Sequence, residues 1–310
     1  MKFYLLKRLI LTVPLLLGVT MLTFGLMKAL PGDPVFSLVG ERASPEVIER
    51  IQRDLGADSN VARQYLGYLK LLLRGEFGRS YYTNRQVFDD IKAKFPNTLK
   101  LAAGAMIIAI PVGLMFGFLA ALKKDTAVDR TLSWCAVSVM SLPVFWSGLI
   151  FMFIFSLKLR LLPPSGTGGM RFLILPALTL SLPALGILTR ITRTTVLEVI
   201  DSPFMRTVFA KGIGERTVYF VHVARNVLIP ITTVIGLEFA SYLNGAVLTE
   251  TIFGWDGIGR FTVEGIMKRD YPVIMGCVIT GTLLFISINL LVDVLYHYLD
   301  PRVRIGESGG

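Results

Sequence analysis

Residues Leu101–Leu122 read LAAGAMIIAIPVGLMFGFLAAL, a run of 22 residues without a charge. A helix needs about 20 apolar residues to cross roughly 30 Å of hydrocarbon. The run therefore reads as a helix solvated by lipid, and similar runs lie on both sides of it. They are Leu9–Met27, Thr131–Leu157, Phe172–Thr189, Asn226–Thr249 with the single acid Glu238, and Tyr271–Val292. The composition agrees, with 53% hydrophobic and only 17% charged residues and a mean hydropathy of +0.61. Such a chain is too apolar for a soluble domain. The runs show no two-residue alternation, which excludes a transmembrane barrel. The expected fold class is an all-α polytopic membrane protein with six transmembrane helices.

Leu9–Met27 follows Lys2, Lys7 and Arg8 in the manner of a secretory signal. Its apolar run exceeds the usual 7–15 residues, and Leu30-Pro31 is no cleavage site, so it is read as a retained first span. The net charge of +10 points to membrane topology rather than to nucleic acid. With the N-terminus inside, the inner segments hold fourteen basic residues and the two short outer loops hold six. That asymmetry assigns both termini to the cytoplasm. Cys135 and Cys277 fall within spans without ligand spacing and read as small buried hydrophobes. His222 and His297 are too far apart in sequence to suggest a metal site.

The chain divides into residues 1–30 with the first span, an outer segment 31–97, and a five-span core 98–310. Pro31–Pro34 (PGDP) stops the first helix. Ser44-Pro45 starts an amphipathic stretch with Val47, Ile48, Ile51 and Leu55 on one face, ended by Gly56. A second stretch carries Val61, Tyr65, Tyr68, Leu69 and Leu72 and ends at Arg74-Gly75. Both follow helical periodicity with a proline start and glycine stops, so segment 31–97 reads as a small helical cap. Asn97, after Pro96, is a candidate cap for the second span. Gly113 and Gly117, like Gly236 and Ala240, stand four apart and suit close helix approach in lipid. Pro111, Pro143, Pro176 and Pro183 are expected to interrupt helices. Glu238 is an acid in mid-span, which marks either a pathway residue or a helix-orienting hydrogen bond.

Residues 190–225 form a polar inner loop between two apolar spans. Within it, Ser202-Pro203 starts a short helix with Phe204, Val208 and Phe209 on one face. Lys211 closes the helix and Gly212 supplies a left-handed corner. A second helix is expected from about Glu215 to Ala224. Exposed apolar residues ringed by basic ones suit either docking to a protein or lying on anionic lipid.

Several of these stretches resemble the permeases of ABC importers, in their dipeptide/oligopeptide/nickel branch. The landmarks are PGDP, LLRGEFGRS (Leu72–Ser80), RTxxAKG (Arg206–Gly212), HxxRNxLxP (His222–Pro230) and NGAVLTETIFGWDGIGR (Asn244–Arg260). RDYPV (Arg269–Val273), NLLVDVLY (Asn289–Tyr296) and DPRVR (Asp300–Arg304) complete the order. Arg206-Thr207-Val208 replaces the generic acid-alanine-alanine opening, and Asp256 stands where proline is common. The resemblance implies the type I importer permease fold with an extracytoplasmic cap. It implies a second homologous permease, two cytoplasmic ATPase subunits and an extracytoplasmic substrate-binding protein as partners, in a bacterial or archaeal inner membrane. The residues it puts against the ATPase are Phe204, Arg206, Thr207, Phe209, Ala210, Lys211 and Gly212. Glu238 and Asn244 become candidates for the translocation path. The chain has no P-loop of the Gly-x-x-x-x-Gly-Lys-Ser/Thr kind, so ATP and Mg are expected on the partners and this chain is not itself an enzyme. The implied cargo is a di- or oligopeptide, with nickel or another metal chelate, or glutathione, as alternatives. A reading of another class is a secondary transporter coupled to ions through Glu238.

Overall fold

A computed structural model describes residues 2–29, 45–55, 60–212, 214, 217–243 and 246–299. Among them the secondary structure is helical, with one isolated bridge between Arg79 and Gln86. The helices are α1 (Lys2–Ala29), α2 (Pro45–Leu55), α3 (Val61–Leu73), α4 (Val87–Leu122), α5 (Ala127–Ser141) and α6 (Val144–Phe151). Then come α7 (Met170–Ile200), α8 (Pro203–Ala210), α9 (Ala224–Leu243), α10 (Val247–Ile252), α11 (Ile258–Lys268) and α12 (Tyr271–Leu299). Two π-helical turns, Met152–Lys158 and Val218–Val223, extend α6 and precede α9.

Three helices among the described residues are long and apolar enough to cross a membrane by themselves: Val87–Leu122, Met170–Ile200 and Tyr271–Val292. Two bent pairs bring the number to five if each is one span. The pair α5 and Val144–Lys158 turns through 100° at its break. Leu142, the residue before Pro143, is extended there (φ −77°, ψ 127°), as the clash with a following proline ring requires. Pro143 thus breaks its helix as its sequence suggests. Pro111, Pro176 and Pro183 do not, and lie inside continuous helices. Membrane helices tolerate such residues because neighbouring helices, Ser/Thr side chains and small local adjustments re-satisfy the freed backbone groups. In α1 the apolar stretch Thr12–Leu26 is shorter than a full span.

The chain folds as two compact units. The first comprises described residues within Met1–Leu99 and Leu243–Ser287. Its core gathers Phe24, Tyr68, Leu71, Phe77, Val87, Ile91, Ile258, Phe261, Val273, Met275, Cys277 and Ile279. Helices α2 and α3 run where the amphipathic patterns put them, and α3 ends at Arg74 before the left-handed Gly75 (φ +77°). Tyr65 and Tyr68 on α3 pack on Phe24 of α1. Their hydroxyls reach Thr20 Oγ1 (2.8 Å) and Thr23 Oγ1 (3.3 Å). The helix expected to begin near residue 98 already begins at Val87, so Asn97 lies inside α4 and caps nothing. Pro31–Pro34, Ser44, Gly56 and Asp300–Arg304 lie outside the described residues.

The second unit comprises described residues within Lys100–Tyr242 and Ile288–Gly310. Here glycines set the helix spacing. A Cβ at Gly113 would stand 2.8 Å from Leu188 Cβ, and one at Gly117 would stand 2.5 Å from Thr189 O and from Thr192 Cβ. Gly186 on α7 offers its bare face to Met140 and Ala136 of α5 in the same way. Helix α7 is therefore wedged between α4 and α5 at backbone contact, the kind of packing that small residues allow in lipid. Cys277 is buried, but Cys135 is exposed on α5, which corrects its reading as an interior residue.

Candidate functional site

Helix α8 follows α7 after only Asp201 and Ser202. Ser202 stands at the N-cap position and Pro203 is the first helical residue. The Ser202 hydroxyl turns back to donate to Val199 O at 2.6 Å instead of capping α8, which stiffens the joint. Gly212 then takes φ +66°, with its amide donating to Phe209 O at 3.0 Å. L-residues pay roughly 1–2 kcal/mol for that left-handed conformation and glycine does not.

The eight residues of α8 divide by face differently from the sequence expectation. Met205 (0% exposed) and Val208 (5%), one helical turn apart, point inward and anchor the helix. Phe204 and Phe209 are exposed at 51% and 42%, so Val208 does not share their face. Arg206, Thr207, Ala210, Lys211 and Gly212 are exposed as well. The structure thus brings seven candidate residues onto one outward surface that carries two aromatic rings and two cations. Phe204 also meets the His222 ring edge-on, with centroids 6.2 Å apart. The second loop helix is met at Val218–Val223 as a π-turn running into α9. Glu215 and Arg216 lie outside the described residues.

Glu238 sits half-buried on α9, one turn before Tyr242. A carboxylate half-open within an apolar helix is costly against hydrocarbon, so its open side suits water or protein. No described contact joins it to α8. Asn244 lies outside the described residues.

Two polar clusters went unrecognised in the sequence. The first holds the segment after α10. Glu250 is fully buried (0%). It accepts the Thr98 hydroxyl at 2.8 Å on one oxygen and the Arg260 amide at 2.9 Å on the other. Thr98 Oγ1 in turn accepts the Ile258 amide (2.9 Å), and Trp255 Nε1 donates to Asn97 O (2.9 Å). Asn97 Nδ2 donates to Asp256 O at 2.9 Å, and Lys94 pairs with the Asp256 carboxylate. Lys94, Asn97 and Thr98 lie on one face of α4 by helical spacing. Gly257 and Gly259 leave room for the Glu250 carboxyl, since a Cβ at either would strike it. Burial raises the Glu250 carboxyl above its ordinary value, opposed by the Arg260 amide and the Thr98 hydroxyl. The signal available was an acid closing an apolar run, followed within ten residues by three glycines.

The second cluster joins α5 to α7. Arg193 grips Asp129 with two parallel bonds, Nε to Oδ1 at 2.5 Å and Nη2 to Oδ2 at 2.7 Å. The Asp125 amide donates to Asp129 Oδ2 (2.9 Å) and Ser133 Oγ to Oδ1 (3.3 Å). The Asp129 side chain is 4% exposed. Bidentate pairing adds geometric definition to the charge attraction.

Apolar helices of membrane length define a polytopic membrane protein, and the short helix α8 presents basic and aromatic side chains on its exposed face. The chain belongs to the family of binding-protein-dependent transport system inner membrane components, whose model matches residues 113–305. The N-terminal model of the same systems matches residues 1–102. The chain is 37% identical to the dipeptide transport system permease protein DppB of Alkalihalophilus pseudofirmus, covering 98% of this chain and 100% of that one. It is 38% identical to the di/tripeptide transport system permease protein DppB of Pseudomonas aeruginosa, covering 98% and 99%. A putative peptide transport system permease protein of Brucella abortus is 39% identical over 98% of this chain and 99% of that one. Among solved structures, an inward-facing MetNI methionine ABC transporter chain matches with a TM-score of 0.58 at 13% identity. It covers 68% of this chain and 96% of that chain, a likeness of fold.

Proposed function

We propose that this chain is a permease subunit of an ATP-driven importer that carries di- or oligopeptides across the cytoplasmic membrane. The observation that carries the reading is identity of 37–39% to peptide permeases over nearly the full length of both chains. The chain crosses the membrane six times, with α1 and the two bent pairs each serving as one span. Both termini lie in the cytoplasm of a bacterial or archaeal cell, and the segment holding α2 and α3 forms an outer cap. The chain pairs with a second, homologous permease to form the path, receives cargo from an extracytoplasmic binding protein, and rests on two ATPase subunits that bind ATP and Mg. It performs no catalysis itself.

The outward face of α8 is the coupling surface. Phe204 and Phe209 fill an apolar groove on the ATPase while Arg206 and Lys211 meet its acidic rim, the arrangement of aromatic anchors and polar surround found at binding hot spots. Met205 and Val208 fasten α8 to its own unit, and the two-residue joint passes its displacement to α7. Glu238 then lines the path, where its open side meets water.

The test is uptake of a labelled dipeptide into proteoliposomes holding the complete complex and its binding protein. ATP-dependent accumulation supports the reading. Uptake driven by a proton or sodium gradient without ATP overturns it, and uptake of a nickel chelate or glutathione in place of peptides revises the cargo alone.

A further inference from the structure

A groove of about 690 Å³ opens on the second unit, lined by Asp125, Asp129, Arg130, Ser133, Trp134, Val137 and Arg193. Its position along the chain is defined. Asp125 through Arg130 are the last polar residues before the uncharged run Thr131–Leu157, so the groove straddles the level where water gives way to hydrocarbon. Its floor is the Asp129–Arg193 pair, whose carboxylate is already fully engaged. Its rim carries two charges of opposite sign, the exposed Arg130 guanidinium and the exposed Asp125 carboxylate, which also feels the Arg193 charge.

Below the rim the chemistry changes. Arg130, Trp134 and Val137 follow one another at four and three residues, along one face of α5. Trp134 is 71% exposed and Val137 46%. A tryptophan at the polar boundary of an apolar helix is the residue that favours the headgroup level of a bilayer. Outside the Asp129–Arg193 pair, the groove therefore offers one cation, one anion and, beneath them, an apolar strip. A purely anionic headgroup would satisfy Arg130 and meet repulsion from Asp125. A choline headgroup brings positive charge without an N–H for Asp125 to accept. A headgroup with a phosphate and a primary ammonium satisfies both, each with charge-assisted hydrogen bonds.

We propose that this groove binds an aminophospholipid, with Arg130 on its phosphate, Asp125 on its ammonium, and Trp134 and Val137 along its first acyl segment. The lipid bridges the turn before α5 and the Arg193 end of α7, adding a third partner to the ion pair. The site is independent of what the permease carries.

The experiment uses the full chain in phosphatidylcholine nanodiscs doped with lipids brominated on the acyl chains. Bromine quenches indole fluorescence on contact, and the Trp134 signal is isolated by difference from Trp134→Phe, which leaves the other two tryptophans. At equal mole fraction, brominated phosphatidylethanolamine is expected to quench Trp134 at least threefold more than brominated phosphatidylcholine or phosphatidylglycerol. Asp125→Asn and Arg130→Gln, both at exposed positions, each reduce that preference toward the phosphatidylcholine level. Equal quenching by all three lipids means an ordinary lipid annulus and overturns the proposal. Preference for phosphatidylglycerol means a basic patch and overturns it too. Absence of quenching by every lipid means that protein covers Trp134, and has the same consequence.

Discussion

Thr98 and Glu250 are joined by a 2.8 Å hydrogen bond across 152 residues of sequence, both of them buried. Thr98 faces two ways, donating to the carboxylate and accepting the Ile258 amide. One hydroxyl thus fixes the end of α10 and the start of α11 against α4. Removing the Glu250 carboxyl orphans the Thr98 hydroxyl and the Arg260 amide together. At about 1–3 kcal/mol per buried unsatisfied group, Glu250→Ala is expected to destabilise the protein by roughly 2–4 kcal/mol. Thermal unfolding in detergent measures it, and a loss no larger than for an exposed residue such as Glu198→Ala would refute the clamp.

The same carboxyl has a pH signature. Burial raises its value in the folded chain relative to the unfolded one. Between those two values the folded state therefore binds more protons, and stability falls as pH rises through that window. The contribution is present below the ordinary glutamate value and lost above the raised one. Glu250→Gln, which keeps the shape and cannot titrate, is expected to flatten the slope of Tm against pH above the ordinary glutamate value. An unchanged slope would assign the pH dependence to other groups.

Arg193 and Asp129 hold α7 to α5 by a bidentate pair with a nearly buried carboxylate. Taking away one partner of such a pair strands the other and costs about 3–5 kcal/mol, and less here because the arginine side chain is 29% exposed. Arg193→Ala is expected to lose more stability than the double change Arg193→Met with Asp129→Leu. The reverse order in paired melting curves would show that the pair adds net stability beyond its packing.

Gly212 tests the corner. No atom lies within 4 Å of a Cβ built there, so only its left-handed backbone resists substitution. Gly212→Asn, which tolerates that conformation, is expected to retain peptide uptake, and Gly212→Val to lose most of it with membrane insertion intact. Equal uptake by the two variants would remove the corner from the coupling path.

Much of this architecture was legible because lipid reduces the sequence code to few rules. Uncharged length marks the membrane helices, and the run Leu101–Leu122 lies inside α4. Gly113 and Gly117 announce a close contact by spacing alone, although their partners Leu188, Thr189 and Thr192 are chosen by the fold. The face of α8 was misread because eight residues give little more than two turns. Phe204, Val208 and Phe209 looked like one apolar face, while Met205 and Val208 are what the neighbouring residues bury. Proline was misread for a related reason: Pro143 breaks a helix and Pro176 does not, and the difference lies in neighbours rather than in proline. The two polar clusters were illegible because each joins residues 64 or more positions apart, a distance over which periodicity carries no information.

The bare strip at Gly113 and Gly117 sets an order on biosynthesis. Chains grow at roughly 5–20 residues per second, so α4 leaves the ribosome seconds before Leu188 and Thr192 have been polymerised. During that interval its glycines face lipid or the insertion machinery, without the neighbour that fits them. Helix α7, arriving last of the three, closes on α4 and α5 together. The nascent chain therefore holds an unfinished seam, and interruption of synthesis between α5 and α7 would leave that seam open for the cell's membrane proteases to find.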